Sequence, residues 1–309
     1  MLPKTLQRYR VRASNFYRAN CGADNPCSKK ICAALISCAP DYVPSSFATL
    51  KSALVNDQID RGNFEAAEDI RRLVNPVTTQ GSSLPRKKKP KRIRTVSLGD
   101  FKALRGHLNA VGHKDELAAL VLAGYLGVRP CEMRTITVKG NGVHIIGGKK
   151  DEKGVRGADR VLIIERADLL RLIERAATHM AKCRRSDAAI SDRLRLVCRA
   201  LWPRRKRHPT LYTFRHQLGS ALKASGESAE ILAYIMGHQS TDSIEVYGDR
   251  RSGVGRKIYV KPAPEADFSK IRTPNNLPRY GREQVDEIDF QSAASKSWVD
   301  KMREVMSRR

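Results

Sequence analysis

Residues 86–94 read RKKKPKRIR, seven cations in nine positions. Removing that much like charge from water costs far more than burying one isoleucine returns, so the run cannot enter a core. A 309-residue chain carrying it must therefore fold as separate parts on either side. The reading that follows is a helical domain over 1–76, a basic linker over 77–96, a second domain over 97–250 and a tail over 251–309. Charge also constrains the partner. Lys and Arg number 58 against 32 Asp and Glu, a formal net charge of +26, which points to a polyanion. The linker cations Arg86, Lys87, Lys88, Lys89, Lys91, Arg92 and Arg94 are expected to lie along its phosphates, each contact adding salt-sensitive affinity. No apolar run is long enough to span a bilayer, and no apolar segment follows the polar start MLPKTLQRYR, so neither membrane insertion nor secretion is expected.

The seven cysteines form no disulfide framework and fit a reducing, cytosol-like compartment. Cys21, Cys27, Cys32 and Cys38 cluster, but without a CxxC knuckle or a nearby histidine. They read as buried thiols, and no metal is expected.

Periodicity makes the first domain helical. Phe47, Leu50 and Leu54 fall on one face behind a Ser46 cap, and Phe64, Ala67, Ile70, Leu73 and Val74 repeat the pattern up to Pro76. In the second domain, Ser97 caps a helix with Phe101, Leu104 and Leu108 inward, and KDELAALVLAGYLG is a buried helix ending at Gly127. Two or three strands follow in TITVKGNGVHIIGGKK…RVLIIE, then helices at about 167–182, 188–201, 213–225 and 228–236. The expected class is mainly α with a small inserted antiparallel sheet.

Four residues stand out by position. Arg129 lies between a buried helix and Pro130, poorly placed for a core and well placed to aim a fork of donors into a cleft, with Glu132 three residues on to brace it. Arg215 follows Phe214 on an amphipathic helix. Gly237, a left-handed stop, presents His238 on a loop. A helix restarting at Ser240 or Thr241 is expected to carry Tyr247 on its second turn. A phenol with a pKa of about 10 attacks poorly unless cations surround it. Two arginines, a histidine and a tyrosine form a coherent set for holding a phosphodiester while tyrosine attacks phosphorus.

The order Arg129-x-x-Glu132, a basic β-hairpin, YTFRH, MGH and a tyrosine nine residues after that histidine resembles the catalytic domain of the tyrosine recombinase (phage integrase) family over roughly residues 97–250. The helical N-terminal part looks like the family's core-binding domain. The resemblance implies that Arg129 and Arg215 clamp the scissile phosphate and that His238 hydrogen-bonds it or assists proton transfer. Tyr247 would form a 3′-phosphotyrosyl bond. A hairpin lysine, Lys149 in preference to Lys150, would protonate the leaving 5′-oxygen. It also implies no metal or nucleotide cofactor, a double-stranded DNA site, and a homo-tetramer on two DNA sites passing through a Holliday junction. The expected location is cytoplasmic and nucleoid-associated, or nuclear in a eukaryotic host.

One departure from the pattern is Tyr212, where the family usually has histidine. Either Tyr212 serves as a hydrogen-bond donor, or His208 or His216 takes the role; His216 is read as supporting the site. Lys153, Arg156 and Arg160 are expected to meet backbone phosphate or solvent. Trp298, Met302, Val305 and Met306 share one helical face, which packs either on its own protomer or on a neighbour. Type IB topoisomerase chemistry and a catalytically silent DNA-binding relative remain as alternatives.

Overall fold

The structure is a computed structural model and describes residues 3–22, 26–89, 93, 95–148, 157–245 and 247–273. It is mainly helical with one small antiparallel sheet, and it divides into two compact units with the break between Lys91 and Arg92, inside the cation run. The expected terminal helix, with Trp298, Met302, Val305 and Met306, lies outside the described residues.

The first unit is built on α1 (Pro3–Asn20), α2 (Ser28–Cys38), α3 (Pro44–Asp60) and α4 (Phe64–Arg72). Phe47, Leu50 and Leu54 of α3 meet Phe16, Ile31 and Ile70 in its core. A buried polar chain crosses that core: Gln58 donates to the Tyr17 hydroxyl at 2.8 Å and accepts from Asn63 at 2.9 Å. Three expectations fail here. Ser46 is not the cap, because Pro44, whose missing N–H costs nothing in a first turn, starts the helix behind Val43. Val74 is 67% exposed because α4 ends at Arg72 and the chain has left helical geometry by Leu73. Cys21 is buried, whereas Cys27 is exposed rather than packed.

The second unit begins with α5 (Leu98–Ala110), whose cap Ser97 accepts from the Asp100 N–H at 2.9 Å. Next comes α6 (Lys114–Leu126), apolar all round and buried from Ala118 to Ala123. After a 3₁₀ turn at Pro130–Thr135, the strands β1 (Thr137–Lys139), β2 (Gly142–Ile145) and β3 (Arg160–Ile163) pair antiparallel in sequence order, with Val143 opposite Leu162. Then follow α7 (Ala167–Lys182), α8 (Asp187–Leu201), α9 (Leu211–Ser225), α10 (Ala229–Met236) and a single turn, α11 (Asp242–Glu245). Beyond Tyr247 the chain returns to the same core. Lys261–Pro262 form a fourth strand, β4, on the free edge of β3, and Val260, Ala263 and Ile271 are buried. A proline is tolerated there because an edge strand has a side that pairs with nothing.

Candidate active site

The site is assembled where two helices end. Both α6 and α10 stop at a left-handed glycine, Gly127 (φ 60°) and Gly237 (φ 63°). The final carbonyls of a helix lack intrahelical donors and form its negative pole, so they attract cations. Arg215, on α9 and with no exposed surface, donates through Nη1 to the Gly127 carbonyl and through Nη2 to that of Met236. Arg129 donates to the Gly237 carbonyl at 3.3 Å. One helix end thus aligns both sequence-predicted arginines.

Glu132, fully buried, ties the cluster together. Its carboxylate accepts from the Arg129 side chain at 2.7 Å and the Arg129 backbone N–H at 3.0 Å. Arg160 donates to the other side of it, also at 3.0 Å. Burial would raise this carboxyl's pKa, but the Arg160 and Arg129 guanidiniums outweigh it and hold it at about 2. Arg160 corrects the expectation that it meets phosphate or solvent: it is buried and paired to Glu132. The signal was present in strand alternation, since Arg160, Leu162 and Ile164 all point inward. Gly237 makes room for it; a Cβ there would sit 2.3 Å from Arg160 Nη1.

Among the described residues, three guanidiniums therefore lie around one carboxylate, a local excess of two positive charges. Burial, together with the Arg129 and Arg160 charges, pushes the Arg215 guanidinium down to about 10. Burial likewise lowers Arg160. Among the described residues, Arg160 Nε and Nη1, Arg215 Nε and His238 Nδ1 are buried without a hydrogen-bond partner. Buried donors and unbalanced charge cost free energy until an anion arrives.

His238 stands on the loop after Gly237, its N–H bonded to the Ala233 carbonyl. The strand-like pairing of Arg272 with Gln239 and Thr241 holds that loop from further along the chain. Arg215 Nη2 lies 2.8 Å from His238 Nε2, and since guanidinium only donates, Nε2 accepts and Nδ1 carries the proton. Burial first, then the Arg215 and Arg129 charges, holds this imidazole neutral down to about 2. It is thus a donor through Nδ1 at neutral pH, not a base.

Tyr247 follows α11 instead of riding its second turn, because that helix is a single turn ended at Glu245. Its ring is flanked by the rings of His216 and His238, at 5.0 and 4.9 Å between centroids, with the Arg215 Cζ also 5.0 Å away. Close approach of backbone makes this possible. A Cβ on Gly219 of α9 would lie 3.2 Å from the Tyr247 Cβ, and one on Gly248 would lie 2.4 Å from the Ser220 nitrogen. His216 supports the arrangement by accepting from the Gly248 N–H at 3.4 Å.

Tyr212 lies on the first turn of α9 and is 39% exposed; burial raises its pKa, as does the proximity of Tyr247. His208 precedes α9, and burial together with the Arg199 and Arg205 charges lowers its pKa. Tyr259 stacks on Tyr125 at 6.2 Å and lies under Arg166, apart from the cluster. Arg86, Lys87, Lys88 and Lys89 are exposed on the first unit, with Lys87 Nζ donating to the Asp41 carbonyl at 2.6 Å. Lys91, Arg92, Arg94, Lys149, Lys150, Lys153 and Arg156 lie outside the described residues.

Known structures share this architecture. The structure of a lambda integrase dimer bound to a COC′ core site aligns with TM-score 0.56 at 16% identity, over 84% of this chain and 75% of that one. A lambda integrase tetramer bound to a Holliday junction gives 0.54 at 16%, over 83% and 74%. The Tn1549 transposon integrase in complex with transposon right end DNA gives 0.50 at 13%, over 78% and 93%. The fold is that of these tyrosine-recombinase structures, across both of its units. No protein-family model matches the chain, and neither does any curated protein sequence.

Proposed function

We propose that this chain is a tyrosine-type site-specific DNA recombinase that cuts and rejoins a duplex through a 3′-phosphotyrosyl intermediate. The observation that carries the reading is the buried excess of two positive charges against the Tyr247 ring, an arrangement suited to one phosphate and one attacking phenol. Arg129 and Arg215, each oriented by a helix-end carbonyl, donate to the non-bridging oxygens. Their charge counts most in the pentacovalent state, where an additional negative charge develops in a preorganised site. His238 adds a third donor through Nδ1. Tyr247 gives its phenolic proton to solvent as Oη forms a bond to phosphorus, the bond to the 5′-oxygen breaks, and that oxygen leaves as a hydroxyl after receiving a proton. Lys149, or Lys150 beside it, supplies that proton. Tyr212, exposed at the entrance, donates to the phosphate where relatives would use histidine.

The phosphotyrosyl bond conserves the energy of the diester, so a 5′-hydroxyl of a second strand reverses the attack without a cofactor. Lambda integrase, bound to a Holliday junction as a tetramer, supports placing this chain in a tetramer on two sites. The first unit, with Arg86, Lys87, Lys88 and Lys89 at its end, then grips the duplex through phosphates.

Incubation with nicked DNA carrying its site should give a protein–DNA adduct that survives denaturation, and Tyr247→Phe should give none. An adduct formed equally well by Tyr247→Phe would remove the nucleophile and the reading with it.

A further inference from the structure

Between α8 and α9 runs the segment Trp202–Pro203–Arg204–Arg205–Lys206–Arg207–His208–Pro209, four adjacent cations that the clamp and the nucleophile do not use. It is held at both ends. Trp202 packs against the core, Pro209 is buried, and Arg205 forks onto Asp100 of α5 with both nitrogens, at 3.0 and 2.9 Å. The Arg205 Cζ also lies 4.5 Å from the Trp202 ring centroid. Arg205 therefore spends its charge on fixing the loop. Its neighbours do not: Arg204, Lys206 and Arg207 are exposed, and among the described residues none has an ion-pair partner. Exposed arginines of the same unit such as Arg166 and Arg195 do have carboxylate partners.

We infer that Arg204, Lys206 and Arg207 form a second phosphate-binding surface, which tracks the duplex backbone beside the cleaved phosphate. Like charges crowded on an anchored loop repel one another until a polyanion neutralises them. Position names the polyanion. The loop runs directly into the first turn of α9, which carries Tyr212 at the site entrance and Arg215 beneath it. Arg207 precedes Tyr212 by five residues, a reach of at most ~18 Å even fully extended. A duplex seated in the site presents a phosphate on each strand every ~3.4 Å of its axis, so phosphates lie within that distance. Asp100, the anchor, sits on the first turn of α5, within the same unit as the loop and the site.

This rests on the DNA strand-transferase reading, but its test is equilibrium binding and needs no cleavage. The full chain and R204Q/K206Q/R207Q should be titrated against a short duplex of arbitrary sequence across a salt series. The triple variant should bind about tenfold or more weakly at ~0.1 M salt and lose about 2–3 from the slope of log K against log salt. Replacing Arg171, Arg175 and Lys182, exposed on α7, which contributes nothing to the site, controls for net charge and should change the slope by less than about 1. A slope unchanged in the loop variant, or changed equally in the control, overturns the proposal. An unchanged slope with loss of assembly on DNA overturns it too and assigns the loop to an acidic protein surface. If the loop variant loses slope as expected while no Tyr247 adduct ever forms, the strand-transfer reading fails and the loop contact stands.

Discussion

Two arginine-rich regions of one unit treat the same side chain in opposite ways. In the cluster, Arg129 and Arg160 pair with the single carboxylate of Glu132, Arg215 lies near it, and several donors of Arg160 and Arg215 have no partner among the described residues. In the loop, Arg205 has the Asp100 carboxylate to itself and its neighbours face water. Solvent screens the loop, so its charges cost little and give affinity that salt erodes and sequence does not direct. Nothing screens the cluster. Burial and the neighbouring charges lower the pKa of Arg215, burial lowers that of Arg160, and an anion at one defined point offsets the cost. Burial turns a cation into a positional device, whereas exposure leaves it an adhesive.

The largest expected effect comes from removing the buried carboxylate that Arg129 and Arg160 share. Glu132→Gln keeps the shape and leaves three guanidiniums unneutralised, which should cost about 3–5 kcal/mol of stability in urea unfolding. Inorganic sulfate should restore part of the loss by supplying the missing anion. A variant as stable as the parent, or one indifferent to sulfate, would show that the cluster is not short of negative charge, and the contrast with the loop would disappear.

Next in size is Arg215→Lys. The charge survives, but one ammonium cannot serve the Gly127 carbonyl, the Met236 carbonyl and the His238 ring together. Cleavage should slow about 10²-fold or more, while DNA affinity, set mostly by exposed cations, changes far less. Equal losses in rate and affinity would mean that the buried arginine acts as an adhesive after all.

Much of this arrangement could be read from spacing. Arg129, Glu132 and His238 stood out because each sits where a helix stops or turns at a left-handed glycine or a proline, Arg215 because it follows Phe214 on an amphipathic helix, and Tyr247 by its spacing from His238. Arg160 was legible too, through alternation with Leu162 and Ile164, but the abundance of hairpin cations made a solvent-facing role look natural. The supports of Tyr247 left no signal. Gly219 and Ser220 read as unremarkable helical residues, and only the backbone lying across them shows why neither can be large. The stretch KIYVKP, residues 257–262, reads as a strand, and Lys261–Pro262 at its end do pair with β3; which strand they join is set by tertiary contact and not by their own sequence. Ser46 misled because Pro44 starts that helix without needing a side-chain cap.

The smallest effect separates the two regions by pH. His238, packed between Arg215 and Tyr247 with Arg129, Arg160 and Glu132 nearby, stays neutral in the folded protein down to about 2. In the unfolded chain it takes a proton at its ordinary value of about 6.5. Between those values the unfolded state holds the extra proton, so stability falls as pH falls, beginning near 6.5 and by at most about 1.4 kcal/mol per unit. Glu132, depressed to about 2, adds its own loss only below its unfolded value of about 4.3, which leaves a clear window above it. His208, lowered by burial and by Arg199 and Arg205, pulls the same way from the loop side. Urea midpoints measured from pH 6.5 to 4.5 without DNA should therefore decline in the parent. His238→Gln, which keeps an acceptor for Arg215 but cannot titrate, should flatten that decline by about 1 kcal/mol per unit. His208→Gln should flatten it less, because its ring lies among screened charges. If His208→Gln has the larger effect, the buried cluster does not hold His238 neutral, and the difference in dielectric between the two regions is smaller than their geometry implies.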